Sequence, residues 1–281
     1  MSRKAYPSDL TDLQWTLIKE LLPEPKTSPK GGRPRSIDLR EVVNAILYLA
    51  RAGCQWDMLP HDLPAKSTVY EYFSAWRDDG TLDAVNRTLV GAVRGLEAPS
   101  GEIEPSAASV DSQTVKSTER CSTRGYDGGK KIRGRKRHVA VDTLGLLLAV
   151  AVTVASTDDA EGARLVMADL TRQHQPRLEV VWADSKYHNH ALHAWLETQA
   201  IGWRLEIVRR EPGSHGFVLL PKRWVVERTF GWLGRWRRLA RDNEHYERSS
   251  VAMIHVVSIG RMLRRLDPPE GIPPFKYRAA A

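Results

Sequence analysis

Three carboxylates share a pattern that none of them shows alone. Asp111 interrupts a strand-like run in SVDSQ, Asp184 closes another in VVWAD, and Glu227 lies inside RWVVERTFGWL. Singly, each has a plain structural explanation. An aspartate ending a strand is ordinarily a turn residue. Glu227, with Arg223 four residues before it, makes a helix-face ion pair worth a few tenths of a kcal/mol. Together they read differently. An acid at the C-terminal end of a central strand points into the crevice where α/β sheets hold ligands. Two strand aspartates and a glutamate on a later helix can converge there. Hard oxygen ligands with no Cys nearby suit Mg²⁺ or Mn²⁺. Two such ions can activate a nucleophile and steady the leaving oxygen of a phosphodiester.

The charge distribution names the partner. The chain of 281 residues has a net charge of +8. Residues 116–138 hold nine Lys/Arg against two acids, and residues 222–241 hold seven against one. Trp224, Trp232 and Trp236 are interleaved with the second stretch. Clustering of this kind marks a phosphate path more than two solvated faces. The candidate DNA contacts are Lys130, Lys131, Arg133, Arg135, Lys136 and Arg137 in the first stretch and Arg223 and Arg235 in the second.

These residues need elements to hold them. Thr11 with Gln14, and Asp38 with Glu41, form two capping boxes, and Gly53 is a natural end for the second helix. Further helices are expected from Ser67 and from Thr81. Helix 67–78 would pack Val69, Tyr72, Phe73 and Trp76 inward and offer Ser67, Thr68, Glu71 and Arg77 outward, as the recognition helix of a helix-turn-helix module. Thr68 and Arg77 join the DNA contacts on that basis. PEPKTSPKGGRPR is a basic loop, and LEAPSGEIEPS a linker without apolar periodicity. Beyond it, ASVDSQTV, RHVAVDT, LLLAVAVTVA, LEVVWADS and WRLEIVRR read as strands, the second and third joined through a tight turn at 143–145. Helices lie between the later strands, and a long one spans 222–241, ahead of another near 249–265. Its Gly231 and Gly234 share a face with Glu227 and serve either close approach of a phosphate backbone or packing. GYDGGKKIRGRKR reads as a mobile basic loop. The order β-β-β-α-β-α-β-α gives a mixed sheet covered by helices.

The expected organisation is a helical DNA-binding domain at 1–95, a linker at 96–106, an α/β catalytic domain at 107–266 and a disordered tail at 267–281. Two distant cysteines, no apolar run near the ~20 residues of a membrane span, and no signal-peptide core point to a cytoplasmic protein. His188, His190 and His193 have no Cys beside them and are discounted as a zinc site.

The same residues carry a resemblance. YPSDLTDLQW, GGRPRSIDLREVVNAILYLARAGCQWDMLP and STVYEYFSAWRDDGTL resemble the N-terminal domain of bacterial insertion-sequence transposases of the DDE class, most similar to the insertion-sequence-five family. VDSQTVKS, GGKKIRGRKRHVAVDTLG, VWADSKY and RWVVERTFGWLGRWRRLARDNE resemble its catalytic domain. The resemblance implies an RNase H-like fold and a metal-binding triad of Asp111, Asp184 and Glu227. It also implies cleavage at transposon ends and attack of a 3′-hydroxyl on target DNA. The partners it implies are double-stranded DNA and a second copy of the chain, as a homodimer on DNA in the bacterial nucleoid. Leu220 stands where the family has Tyr, Gly234 where it has Lys, and Ser185 where it often has Gly. Arg235 is the candidate substitute for that Lys. Two competing readings are a DNA-binding regulator without catalysis and another RNase H-like nuclease. Three acids beside a phosphate path serve neither simple binding nor its affinity, and the separate helical domain suits a protein that must find particular ends.

Overall fold

The structure, a computed structural model, describes residues 3–23, 37–99, 101–173, 175–199, 201–209 and 220–268. The basic loop at 24–36 and the tail beyond 268 lie outside the described residues.

The N-terminal part is helical: α1 (Asp12–Ile18), α2 (Leu39–Ala52), α3 (Lys66–Asp78) and α4 (Thr81–Glu97). The capping box at Thr11 and Gln14 is complete in both directions. Asp38 caps α2 through the Arg40 amide, but Glu41 reaches Arg3 and Asn44 instead of its own N-cap. Gly53 ends α2 in the left-handed region, φ 70°.

The sheet contains β1 (Ala107–Lys116), β2 (Gly125–Asp127), β3 (Ile132–Asp142), β4 (Leu147–Val154), β5 (Val180–Ala183) and β6 (Arg204–Ile207). The spatial order is β2-β3-β1-β5-β6, with β4 pairing β3. β1, β3 and β4 are antiparallel neighbours, whereas β5 and β6 run parallel to β1. Four helices accompany it: α5 (Asp159–Arg172), α6 (His190–Glu197), α7 (Pro221–Gly234) and α8 (Glu247–Leu266). The result is a mixed sheet with helices on its faces and a helical region before it. The segment read as a mobile basic loop is in part a hairpin: β2 pairs β3 from Gly125 opposite Gly134 to Asp127 opposite Ile132.

Helix 222–241 is shorter than the charge run implies. α7 ends at Gly234, and Trp236 takes an extended conformation, φ −92° and ψ 116°. That turn buries the Trp236 indole under the guanidinium of Arg51 and against Gly260, where an added Cβ would meet the ring at 2.8 Å. Burying an indole outweighs the loss of two or three helical hydrogen bonds, each worth about 1 kcal/mol net.

The helical region is closed from the far end of the chain. α8 packs on α1, α2, α3 and α4 as well as on β4. One apolar core runs from Leu10 through Val110 to Leu263. Arg94 of α4 reaches Asp142 at the β3–β4 turn, 2.7 Å away, with both side chains buried. The linker is ordered where described: α4 extends to Glu97, Glu102 pairs with Arg177, and the Ser106 carbonyl accepts the Glu179 amide.

Candidate active site at the ends of two parallel strands

Strand register brings the aspartates together. β1 and β5 are parallel neighbours, with Ser109 opposite Trp182. Asp111 and Asp184 are each two residues further on, so the acids stand at one level on adjacent strands, Asp111 within β1 opposite Val139 and Asp184 just past the end of β5. α7 packs across β1, β3 and β5. Val226, Thr229, Phe230 and Leu233 are its buried side, which leaves Arg223 and Glu227 turned toward the strand ends. Lys222 anchors the start of α7, pairing with Glu206 of β6 at 2.8 Å and lying 5.0 Å from the Trp182 ring.

One guanidinium nitrogen joins all three acids. Arg223 Nη2 is 3.8 Å from Asp111 Oδ2, 3.6 Å from Asp184 Oδ2 and 3.4 Å from Glu227 Oε1. The carboxylates therefore face a common gap and not separate surfaces. Among the described residues no group of acids, His or Cys is drawn close enough to hold an ion with the side chains as they stand. Arg223 spaces them. A site that gathers three carboxylates around one cation has the donor set and charge for a divalent ion.

Burial drives the electrostatics. Desolvation pushes the Asp111 carboxyl up to about 6; the Asp184 charge adds to this, while the Ser112 amide, Arg223 and Lys130 oppose it. Asp111 Oδ1 accepts the Ser112 amide at 2.7 Å, and Asp184 Oδ1 accepts the Lys186 amide at 2.8 Å.

The other candidate contacts divide sharply. Lys130, Lys131 and Arg133 are exposed on the β2–β3 hairpin, and Lys130 is close enough to influence Asp111. Arg235 is exposed just beyond α7. Arg135, Lys136 and Arg137 are buried, contrary to the expectation that they line DNA. β3 lies between β1 and β4, and α5 and α7 pack against it. Arg135 donates to the Glu244 and His245 carbonyls and to Ser250, and pairs with Asp242. Arg137 donates to the Leu239 carbonyl, and burial lowers its guanidinium to about 10. Lys136 pairs with Asp159 at 2.9 Å. These cations fasten the chain after α7 and the start of α5 to the sheet. Arg238 does likewise, paired with Glu244 at 2.7 Å and donating to the Cys54 carbonyl. On α3 the four inward residues are buried as expected, and Thr68 is half-buried. Arg77 is not presented outward: it holds Asp78 and donates to Ser249 of α8 at 2.9 Å.

Sequence reading passed over a polar cluster beside the triad. Ser112 Oγ donates to Asp159 Oδ1 at 2.7 Å, and Lys186 lies 3.6 Å from Asp159. Tyr187 is fully buried next to them. The spacing DSKY was the available signal, since it returns a large ring to the strand end three residues after Asp184. Asp158 caps the start of α5, while Asp159 turns to Ser112 and Lys136.

A family model described as "Transposase DDE domain" matches residues 102–260, and one described as "Putative transposase of IS4/5 family" matches residues 10–86. Two curated relatives, both from Burkholderia cepacia, are similar over part of the chain. One is "Insertion element IS402 uncharacterized 16.2 kDa protein", 28% identical over 110 residues, 38% of this chain and 72% of its own length. The other is "Putative transposase for insertion sequence element IS402", 31% identical over 112 residues, 38% of this chain and 52% of its own length. The chain thus spans about half the length of the second relative. Since the first model covers more than half of the chain, the chain belongs to the DDE transposases. Within that class it is of the IS4/5 insertion-sequence type. No helix among the described residues is long and apolar enough to cross a membrane.

Proposed function

We propose that Asp111, Asp184 and Glu227 hold divalent cations, Mg²⁺ or Mn²⁺, and that the protein uses them to cut the ends of an insertion sequence and join the 3′-hydroxyls to target DNA. The convergence of the three carboxylates on Arg223 is the observation that carries this reading. The strand order supports an RNase H-like catalytic domain: three antiparallel strands, then two parallel ones, with acids on β1 and directly after β5. Bound there, the ions would lower the pKa of an attacking water or hydroxyl and take up charge on the leaving oxygen. The chain's own side chains guide the DNA. Lys130, Lys131 and Arg133 on the hairpin, and Arg235 beyond α7, flank the carboxylates and meet phosphates. The helical region at 1–95, with α3, Thr68 and the basic stretch at Lys30–Arg35, is assigned to end recognition, and a homodimer would bring two ends together.

Asp111→Asn tests the reading. Nicking of DNA carrying the element's ends should fall by at least 10³-fold, with DNA affinity equal or higher because a negative charge is removed beside phosphates. Wild-type nicking by the variant would refute the triad. Tight end binding by the wild type with no metal-dependent nicking would leave a regulator.

A further inference from the structure

Buried polar groups are almost always hydrogen-bonded, and one that is not needs a reason. The Tyr187 side chain is 0% exposed, and its hydroxyl has no partner in hydrogen-bond geometry among the described residues. It belongs to the short turn Ser185–Tyr187 that leaves β5 directly after Asp184, and this turn packs against α5. The negative charges of Asp111, Asp159 and Asp184 all reach the phenol, and Ser112 is near enough to act on it without meeting hydrogen-bond geometry. The neighbouring groups make other hydrogen bonds. Ser112 Oγ gives its proton to Asp159, Asp159 holds Lys136, and Asp184 takes the Lys186 amide. The phenol thus makes no hydrogen bond among the described residues and sits in a dry place within the field of two carboxylates, where an unmade hydrogen bond is costly.

We propose that Tyr187 is a positioning residue for the Asp111–Asp184 pair: its buried hydroxyl is the donor that holds these carboxylates for divalent cations. The inference rests on the metal-binding reading above. Ligating carboxylates are themselves commonly hydrogen-bonded, and loss of such an outer partner costs 10–100-fold in metal affinity. A purely structural hydroxyl would behave otherwise, because Tyr→Phe at a paired buried site lowers stability, while at an unpaired one it leaves stability equal or raises it.

The experiment measures Mn²⁺ binding to the full chain by electron paramagnetic resonance, without DNA, alongside melting in chelator. Wild type, Tyr187→Phe and Asp111→Asn are compared. We expect Tyr187→Phe to weaken Mn²⁺ binding at least tenfold while its metal-free Tm is unchanged or higher. Wild-type Mn²⁺ affinity in Tyr187→Phe, with Asp111→Asn impaired, overturns the role of Tyr187 and leaves the triad standing. Weaker Mn²⁺ binding joined to a lower metal-free Tm shows a structural hydroxyl and also overturns it. Equal Mn²⁺ binding by wild type and Asp111→Asn overturns the metal reading itself, and this proposal with it.

Discussion

Arg223 is the residue on which the site turns. Its Nη2 lies within 4 Å of three carboxylates, so in the metal-free protein it supplies the cation that their mutual repulsion demands. A divalent ion entering the gap competes with it. Arg223→Gln should therefore bind Mn²⁺ several-fold more tightly than wild type at pH 8 in the absence of DNA, yet nick end DNA more slowly, because a phosphate contact is lost. Unchanged or weaker Mn²⁺ binding in that variant would show that the guanidinium supports the ligands and does not compete for their place. Asp111 adds a pH dependence. Its carboxyl is raised from 3.8 to about 6 in the fold, chiefly by burial. Ionising it in the folded state is harder than in the unfolded chain, so its charge costs stability above about pH 6, and this cost vanishes as pH falls to 4. In chelator, Asp111→Asn should be more stable than wild type at pH 8, by on the order of 2–3 kcal/mol, with the two converging near pH 4. Thermal melts across that range check it; a gap that widens toward acid would reverse the sign and refute the assignment. At this scale the sequence exposed the acids, because an acid at the end of an apolar strand breaks a pattern. It hid Tyr187 and Ser112, whose residue types fit a core equally well and whose role depends on which strands are neighbours.

α7 and β3 show what periodicity and charge can and cannot reveal about an element. The face shared by Arg223, Glu227, Gly231 and Gly234 is readable from spacing alone. Packing had been the rival explanation for the two glycines. A Cβ built on either meets nothing within 4 Å among the described residues, so they leave the face open. Gly231→Leu should leave the Tm equal or slightly raised, since glycine in a helix interior costs about 1 kcal/mol relative to a good helix former. End-DNA cleavage should drop, because the new side chain stands in the approach to Glu227. Full cleavage by a folded Gly231→Leu would show that DNA does not pass over this face. The end of α7 was not readable, because Trp236 leaves the helix for a surface provided by Arg51 and Gly260, distant in sequence. β3 misled for a related reason. GRKRH has the composition of a phosphate-binding run, but burial on both faces of a central strand turns Arg135 and Arg137 into internal clamps. Charge density along a sequence does not say how many faces of a strand are covered.

At the scale of the whole molecule, the linker near residue 100 marks a change of composition and not a gap in the core. α8 buries thirteen residues, Met253, Ile254, Val257 and Leu263 among them, and packs against both the N-terminal helices and β4. Arg94–Asp142 and the Asn86 side chain donating to the Leu147 carbonyl at 2.9 Å tie α4 to the β3–β4 hairpin, and the Arg265–Glu97 pair ties α4 to α8. Breaking a buried pair such as Arg94–Asp142 by Arg94→Met should cost about 3–5 kcal/mol, because Asp142 stays buried and charged. An isolated 1–95 fragment would expose the surface of α2 and α4 that α8 covers. Native-state hydrogen exchange on the full chain decides how far this coupling goes. If α8 makes the two regions one cooperative unit, the slowest amides of α2, α4, β1 and β3 should open with the same free energy and the same denaturant dependence. A chain ending at residue 246 should then lose protection throughout α2 and α4, although every residue of those helices is present. Measurable protection of α2 and α4 in the shortened chain, or an opening free energy for them well below that of β1 and β3 in the full one, would show two separable domains after all. End recognition could then be assayed on the N-terminal fragment alone; in the coupled case it must be measured on the whole protein, because a mutation in α8 would weaken end binding without touching DNA.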